Sequence, residues 1–227
     1  MVRRLDEFVL TYCRIPGDVR MYLNRRRGRA LLRRWRGVSV APDETLLVGN
    51  SMIEFWQWDG DPGLLLPWRV VNRGIAGSQT KDLVSWADDL IGGPRPPRVV
   101  VLWSGEVEMH WCGASPEDVA LNCERWCDAL ERRSASSVTL FLSILPHRQR
   151  ACPRCAMDCE ASAKRRAANA LIKSMCEAAP RTRCYVDLLT GGELLEDRCY
   201  RPDGHLSRSG YAVLAAKLRP VLAQAHS

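Results

Sequence analysis

Five short apolar runs, at 45–48, 68–71, 99–103, 138–144 and 184–188, constrain this chain more than any other feature. Each is nearly continuous and rich in β-branched residues, the pattern of a strand buried on both faces. Helical stretches separate them, near 80–91, 116–132, 160–179 and 208–224. Strand and helix in alternation predict an α/β domain, a parallel sheet of about five strands with helices covering both faces. In such sheets ligands bind beyond the carboxyl ends of the strands. A chain of 227 residues fits one domain of this kind.

The first 40 residues read differently, as a basic helical extension preceding a domain at 41–227. Val19, Tyr22, Leu23, Ala30, Leu31 and Trp35 recur at roughly helical spacing, and Asp18 is placed to cap the helix. Ala41-Pro42-Asp43 ends the pattern, and Gly92 to Pro97 reads as a rigid surface connection. Eleven arginines fall within the first 36 residues of a chain whose net charge is +7. They form either a solvated helix face or a dock for an acidic partner, such as a carrier protein or an anionic surface. No aromatic interleaving points to nucleic acid, and none is expected. No apolar stretch reaches the length of a membrane span, and the acidic pair near the N-terminus does not fit a signal peptide. A cytoplasmic protein is the expectation.

The polar oddities fall at the carboxyl ends of predicted strands. After Leu46-Leu47-Val48 comes Gly49-Asn50-Ser51, with Ser51 opening a helix. A serine there either caps the helix or presents a hydroxyl and N–H where the helix dipole favours an oxyanion. After 68–71 comes Asn72-Arg73-Gly74-Ile75-Ala76-Gly77, whose two glycines allow a tight turn or a close backbone approach to a ligand. Before the last helix comes Asp203-Gly204-His205, a turn or a general base with its orienting carboxylate.

In their order and spacing the three segments resemble the blocks of the SGNH, or GDSL-like, hydrolases. Gly49-Asn50-Ser51 matches the first block, Asn72 to Gly77 the second, and Asp203 to Tyr211 approximates the last. Ser115 to Val119 and Ala168 to Ile172 also look like bacterial members, and the resemblance runs from about residue 45 to 222. It implies a three-layer, flavodoxin-like fold and a serine hydrolase or acyltransferase acting on an ester or thioester, free or carrier-bound. Ser51 would be the nucleophile, His205 its base and Asp203 the orienting carboxylate, with the N–H groups of Ser51 and Gly77 holding the oxyanion. Three departures stand out, and with them a non-catalytic binding member of the fold, or one with altered chemistry at a cysteine-held metal, is the alternative. The third-block asparagine is replaced by Val107, or by Glu106 if the block slides by one. Asp203 and His205 have one residue between them where many members have two, and Asn50 replaces aspartate or serine.

Ten cysteines add a second chemistry. Cys152, Cys155 and Cys159 cluster in an apparent insertion at 151–160, at a spacing that suits three ligands of a tetrahedral zinc. Cys199 would be the fourth ligand, with Cys112 or His147 as alternatives. A structural zinc is favoured, a catalytic one is a rival, and unpaired or redox-active cysteines are the plain alternative. Trp56, Trp58, Trp103 and Trp111 either line an aromatic pocket or pack in the core.

Overall fold

The apolar runs become β1 (Thr45–Gly49), β2 (Val70–Gly74), β3 (Val99–Trp103), β4 (Val138–Leu142) and β5 (Arg183–Val186) in a computed structural model of the chain. It describes residues 17–59, 62–146, 159–189, 197–201 and 203–227. The strands form one parallel sheet in the order β2-β1-β3-β4-β5, the doubly wound, flavodoxin-like arrangement. The connecting helices are α1 (Gly17–Trp35), α2 (Ser51–Asp59), α3 (Thr80–Ser85), α4 (Ala87–Ile91), α5 (Glu106–Cys112), α6 (Pro116–Glu131), α7 (Cys159–Ala178) and α8 (Arg208–His226).

Side chains alternate across the central strands, so each face of the sheet builds its own core. On one face Leu46, Val48, Val100 and Leu102 pack with Leu83, Leu90, Trp126 and Ile172. On the other, Leu47 and Val101 pack with Ile53 and Trp56 of α2 and with Leu214 and Leu218 of α8. Burial of these two apolar layers is the main driving force for the fold.

Three elements depart from the sequence reading. β2 begins later and runs through Gly74, because Asn72 pairs opposite Leu47 and Gly74 opposite Gly49. Ladder pairing there overrides the turn preference of Asn and Gly. The helix predicted near 80–91 breaks at Trp86, whose backbone leaves helical geometry (φ −105, ψ 8) between α3 and α4.

The third departure is the face of α1. Tyr22 and Leu23, predicted to be inward, are 64% and 43% exposed, and Ala30 is also exposed. The buried positions are Asn24, Gly28 and Leu32, one turn apart. Leu32 joins the first core, and a Cβ on Gly28 would meet the Trp86 ring at 3.0 Å. At Asn24 and Gly28 the helix thus lies too close for a large apolar side chain, and Leu32, Leu31 and Trp35 supply its apolar contacts farther along. Several of its arginines are used within the molecule: Arg25 approaches Asp82 at 3.5 Å, Arg27 pairs with Glu54, and Arg36 with Asp89 at 3.1 Å. Arg26, Arg29, Arg33 and Arg34 are exposed. Asp18 as a helix cap concerns a side chain outside the described set. No described helix is long and apolar enough to cross a membrane.

Candidate active site

Gly49 ends β1 against β3, where a Cβ would collide with the Trp103 carbonyl oxygen. The next residue, Asn50, donates its N–H to that oxygen (3.2 Å). Its side-chain Oδ1 accepts from the Met52 N–H at 2.9 Å. Asn50 is therefore the cap of α2, and Ser51 is released from that duty. Ser51 turns its hydroxyl to His205 instead, with Oγ 2.8 Å from Nε2.

The His205 turn is held from both sides. The Arg201 N–H donates to the His205 carbonyl at 2.7 Å, and the His205 N–H donates to Asp203 Oδ1 at 3.1 Å. The second carboxylate oxygen, Oδ2, lies 3.3 Å from His205 Nδ1 and 3.0 Å from the Arg201 guanidinium. The Nδ1 contact is an ion-pair approach, looser than an aligned hydrogen bond; such contacts often tighten only when substrate binds. Burial works to raise the Asp203 pKa, yet His205 and Arg201 together hold the carboxyl below the ordinary 3.8. The single intervening residue does not prevent the contact, because one carboxylate spans the backbone N–H and the ring. Phe55 packs on the imidazole at 4.7 Å between ring centres. Tyr211 of α8 donates to the Met52 carbonyl at 2.7 Å, tying the helix after His205 to the helix of Ser51.

The glycine loop is pinned onto the same strand end. Asn72 donates from Nδ2 to the Ile53 carbonyl (2.6 Å) and accepts at Oδ1 from the Gly74 N–H (2.9 Å). Ser78 donates to the Gly49 carbonyl at 3.2 Å. Glu54, 2% exposed, accepts from the Ala76 N–H at 2.6 Å and receives both arms of the Arg27 guanidinium. Gly77 follows with φ +73, and Asn24 of α1 occupies the space a Cβ would need. Among the described residues, neither the Ser51 N–H nor the Gly77 N–H donates to a protein acceptor. Arg27, Glu54 and Asn24 escape sequence reading: Arg27 looks like any other arginine of a basic helix, and nothing in the sequence marks Asn24 or Glu54 as facing inward.

The third block carries no side-chain amide. Val107 is buried in α5, and Glu106 opens that helix half-buried. Glu108, one residue on, ties the block to the glycine loop: its Oε1 accepts from the Thr80 N–H at 3.0 Å. Burial raises the Glu108 pKa, against the lowering effect of the Thr80 bonds.

The metal candidates divide. Cys152, Cys155 and His147 lie outside the described residues, as does the side chain of Cys159, which begins α7. Cys199 is buried in a short 3-10 helix under Gly210, whereas Cys112 is exposed and feels the charges of Lys81 and Asp82. Among the described residues no group of three or more His, Cys, Asp or Glu could hold a metal. Of the tryptophans, Trp56 and Trp103 belong to the core beneath the site, Trp111 is half-buried against His110, and Trp58 has no described side chain.

The sequence matches no family model and no curated protein. Solved structures do match. A Streptococcus pneumonia protein provisionally described as a platelet activating factor aligns over 97% of both chains, with 21% identity and a TM-score of 0.71. A GDSL-like lipase from Bacteroides thetaiotaomicron covers 88% of this chain and 97% of its own, with 16% identity and a TM-score of 0.69. A carbohydrate esterase of family 3 from Talaromyces cellulolyticus covers 81% and 97%, with 16% identity and a TM-score of 0.60. With its five-stranded parallel sheet and its strand order, the chain has the fold of the GDSL-like, or SGNH, hydrolases.

Proposed function

We propose that the chain is an esterase-type serine hydrolase that cleaves an ester or thioester through an acyl-serine intermediate. The observation that carries this reading is the 2.8 Å contact from Ser51 Oγ to His205 Nε2, with Asp203 behind the ring. In the proposed reaction Nε2 takes the Ser51 proton as Oγ bonds the substrate carbonyl carbon. The oxygen of the tetrahedral intermediate receives the N–H groups of Ser51 and Gly77. Its collapse expels the alcohol or thiol, which leaves with the proton from His205. Water then attacks the acyl-serine as His205 takes its proton; the second tetrahedral intermediate collapses with cleavage of the acyl–Oγ bond, His205 returns the proton to Ser51 Oγ, and the carboxylic acid departs. An acceptor alcohol in place of water would make the same site an acyltransferase.

Asp203 supports that cycle by facing the imidazolium that forms, and its depressed pKa keeps it ionised throughout. With Val107 at the third-block position, the proposed oxyanion site consists of backbone donors. Loss of one side-chain donor typically lowers rate by about 10²–10³, so a slow enzyme on simple esters is expected. A structural zinc on Cys152, Cys155 and Cys159 is proposed beside the hydrolase reading. The exposed arginines of α1 are proposed as the dock for an acidic partner.

A fluorophosphonate probe tests the reading directly. The wild type should gain one covalent label and the Ser51→Ala variant none, with hydrolysis of 4-nitrophenyl acetate lost in parallel. An unlabelled wild type that leaves the ester intact would sink the proposal.

A further inference from the structure

Arg165, near the carboxyl edge of the sheet, carries chemistry that the proposed cycle leaves unused. It sits on α7, which descends from the carboxyl end of β4. Asn169 on that helix clasps the backbone just past β4, accepting from the Ile144 N–H (2.8 Å) and donating to the Ile144 carbonyl (3.1 Å). Arg165 lies one turn earlier on the same face, about 6 Å farther beyond the sheet edge. The groups within electrostatic reach mark its surroundings: Arg166, Tyr200, Glu106 and Tyr185. Glu106 opens the helix after β3, and Tyr200 directly precedes the turn carrying Asp203 and His205. Arg165 thus lies near the carboxyl edge of the sheet, within electrostatic reach of the helix after β3, of Tyr185 on β5 and of Tyr200 ahead of the His205 turn. Strand β3 is the immediate neighbour of the strand leading to Ser51.

Arg165 is only 9% exposed. Among the described residues it forms no ion pair, and its Nε and Nη1 have no hydrogen-bond partner. The other deeply buried guanidinium, Arg73, shows what a structural arginine looks like here, donating to the carbonyls of Asp89, Leu90 and Val38. A buried cation without a counter-charge or full hydrogen bonding costs folding free energy. A carboxylate or phosphate at an open edge of the guanidinium would supply an acceptor and the missing counter-charge.

We infer that Arg165 is a substrate-binding residue, and that the ester cleaved at Ser51 carries an anionic group, carboxylate or phosphate, seated on its guanidinium. This inference rests on the serine-hydrolase reading. Its chemical consequence is selectivity between acyl or alcohol portions of similar size that differ in charge.

The test compares kcat/KM on matched neutral and anionic esters. 4-Nitrophenyl acetate against 4-nitrophenyl hemiglutarate probes a carboxylate; monoacetylglycerol against acetylated glycerol phosphate probes a phosphate. The wild type should prefer the anionic member of one pair by about tenfold or more. Arg165→Met should reduce that ratio to near one, Arg165→Lys should retain part of it, and Arg166→Met on the exposed neighbour should retain it all. A wild type that is labelled at Ser51 and cleaves both members equally would overturn the inference and leave the hydrolase reading standing. So would an Arg165→Met variant that keeps the preference. If no ester is cleaved, the hydrolase reading fails, and calorimetry with glutarate and inorganic phosphate decides on Arg165. Binding by the wild type that Arg165→Met loses supports the anion site; no binding at millimolar anion ends it. Arg165→Met should melt at or above the wild-type temperature, and a melt far below it would mark a structural arginine and overturn the inference.

Discussion

Asp203 divides its two oxygens between the backbone N–H of His205 and the pair formed by the His205 ring and Arg201. Asp203→Asn keeps the shape but offers the ring an amide, so the tautomer that leaves Nε2 free to accept is no longer favoured. kcat should fall by roughly 10³–10⁴ with little change in KM, measurable on 4-nitrophenyl acetate. The same carboxylate has a pH signature. Its folded pKa is depressed, so the stability it contributes is full above the ordinary 3.8 and is lost as pH falls through the folded value. Urea unfolding should therefore show the wild type losing more stability between pH 6 and pH 3 than Asp203→Asn loses; equal losses would contradict the assignment. At this scale the sequence marks Ser51 by its place just past an apolar strand, and His205 by the turn before the last helix. Asn50 was not legible, because adjacent Asn and Ser suit a helix cap equally well, and it is the folded strand end that assigns the role to Asn50.

The clamp formed by α1, α2 and the glycine loop belongs to the scale of elements. Glu54 accepts the Ala76 N–H and so sets the path of the chain into Gly77, while Arg27 neutralises a carboxylate that is otherwise buried. Glu54 and Arg27 are positioning residues, since neither touches the reacting atoms. Glu54→Gln should lower kcat about tenfold with KM nearly constant, because the amide holds Ala76 more weakly than the charge does. Arg27→Met should leave Glu54 unpaired and cost about 1–2 kcal/mol of stability, whereas Arg27→Lys should restore most of it. Unchanged kcat in Glu54→Gln together with unchanged stability in Arg27→Met would show that the clamp is incidental. Elements with a single strong signal match closely: the 99–103 run is β3 residue for residue, and the helix predicted near 116–132 is α6, opened by a capping box at Ser115. In α1, Leu31 and Trp35 of the predicted apolar stripe do pack against the core. The first half of the helix turns another face inward than that stripe predicts, because its neighbours are a glycine loop and Trp86, for which Asn24 and Gly28 are the right shapes. Apolar periodicity carries no information about such a contact.

On the scale of the whole molecule, the alternation of runs and helices determined the architecture, since parallel strands require crossovers and the helices must cover both faces. The structural matches at 14–21% identity show how far sequences diverge around this sheet order while the fold persists. The site residues meet because β1, β2 and β3 end side by side and α8 crosses behind them, joined to α2 through Tyr211.

The two partners of the central hydrogen bond, Ser51 and His205, are 154 residues apart in the chain. Closing so long a loop is entropically late, and folds rich in distant pairings are slow to form. A nascent or refolding chain can therefore acquire its helices, bury much of its tryptophan and still be chemically silent. Fluorophosphonate labelling of Ser51 during dilution from urea should lag behind tryptophan fluorescence; labelling that rises together with the fluorescence would show that the closure is early. Reactivity at one hydroxyl would then serve as a clock for the final step of assembly, reporting the moment at which the two ends of the domain first behave as a single body.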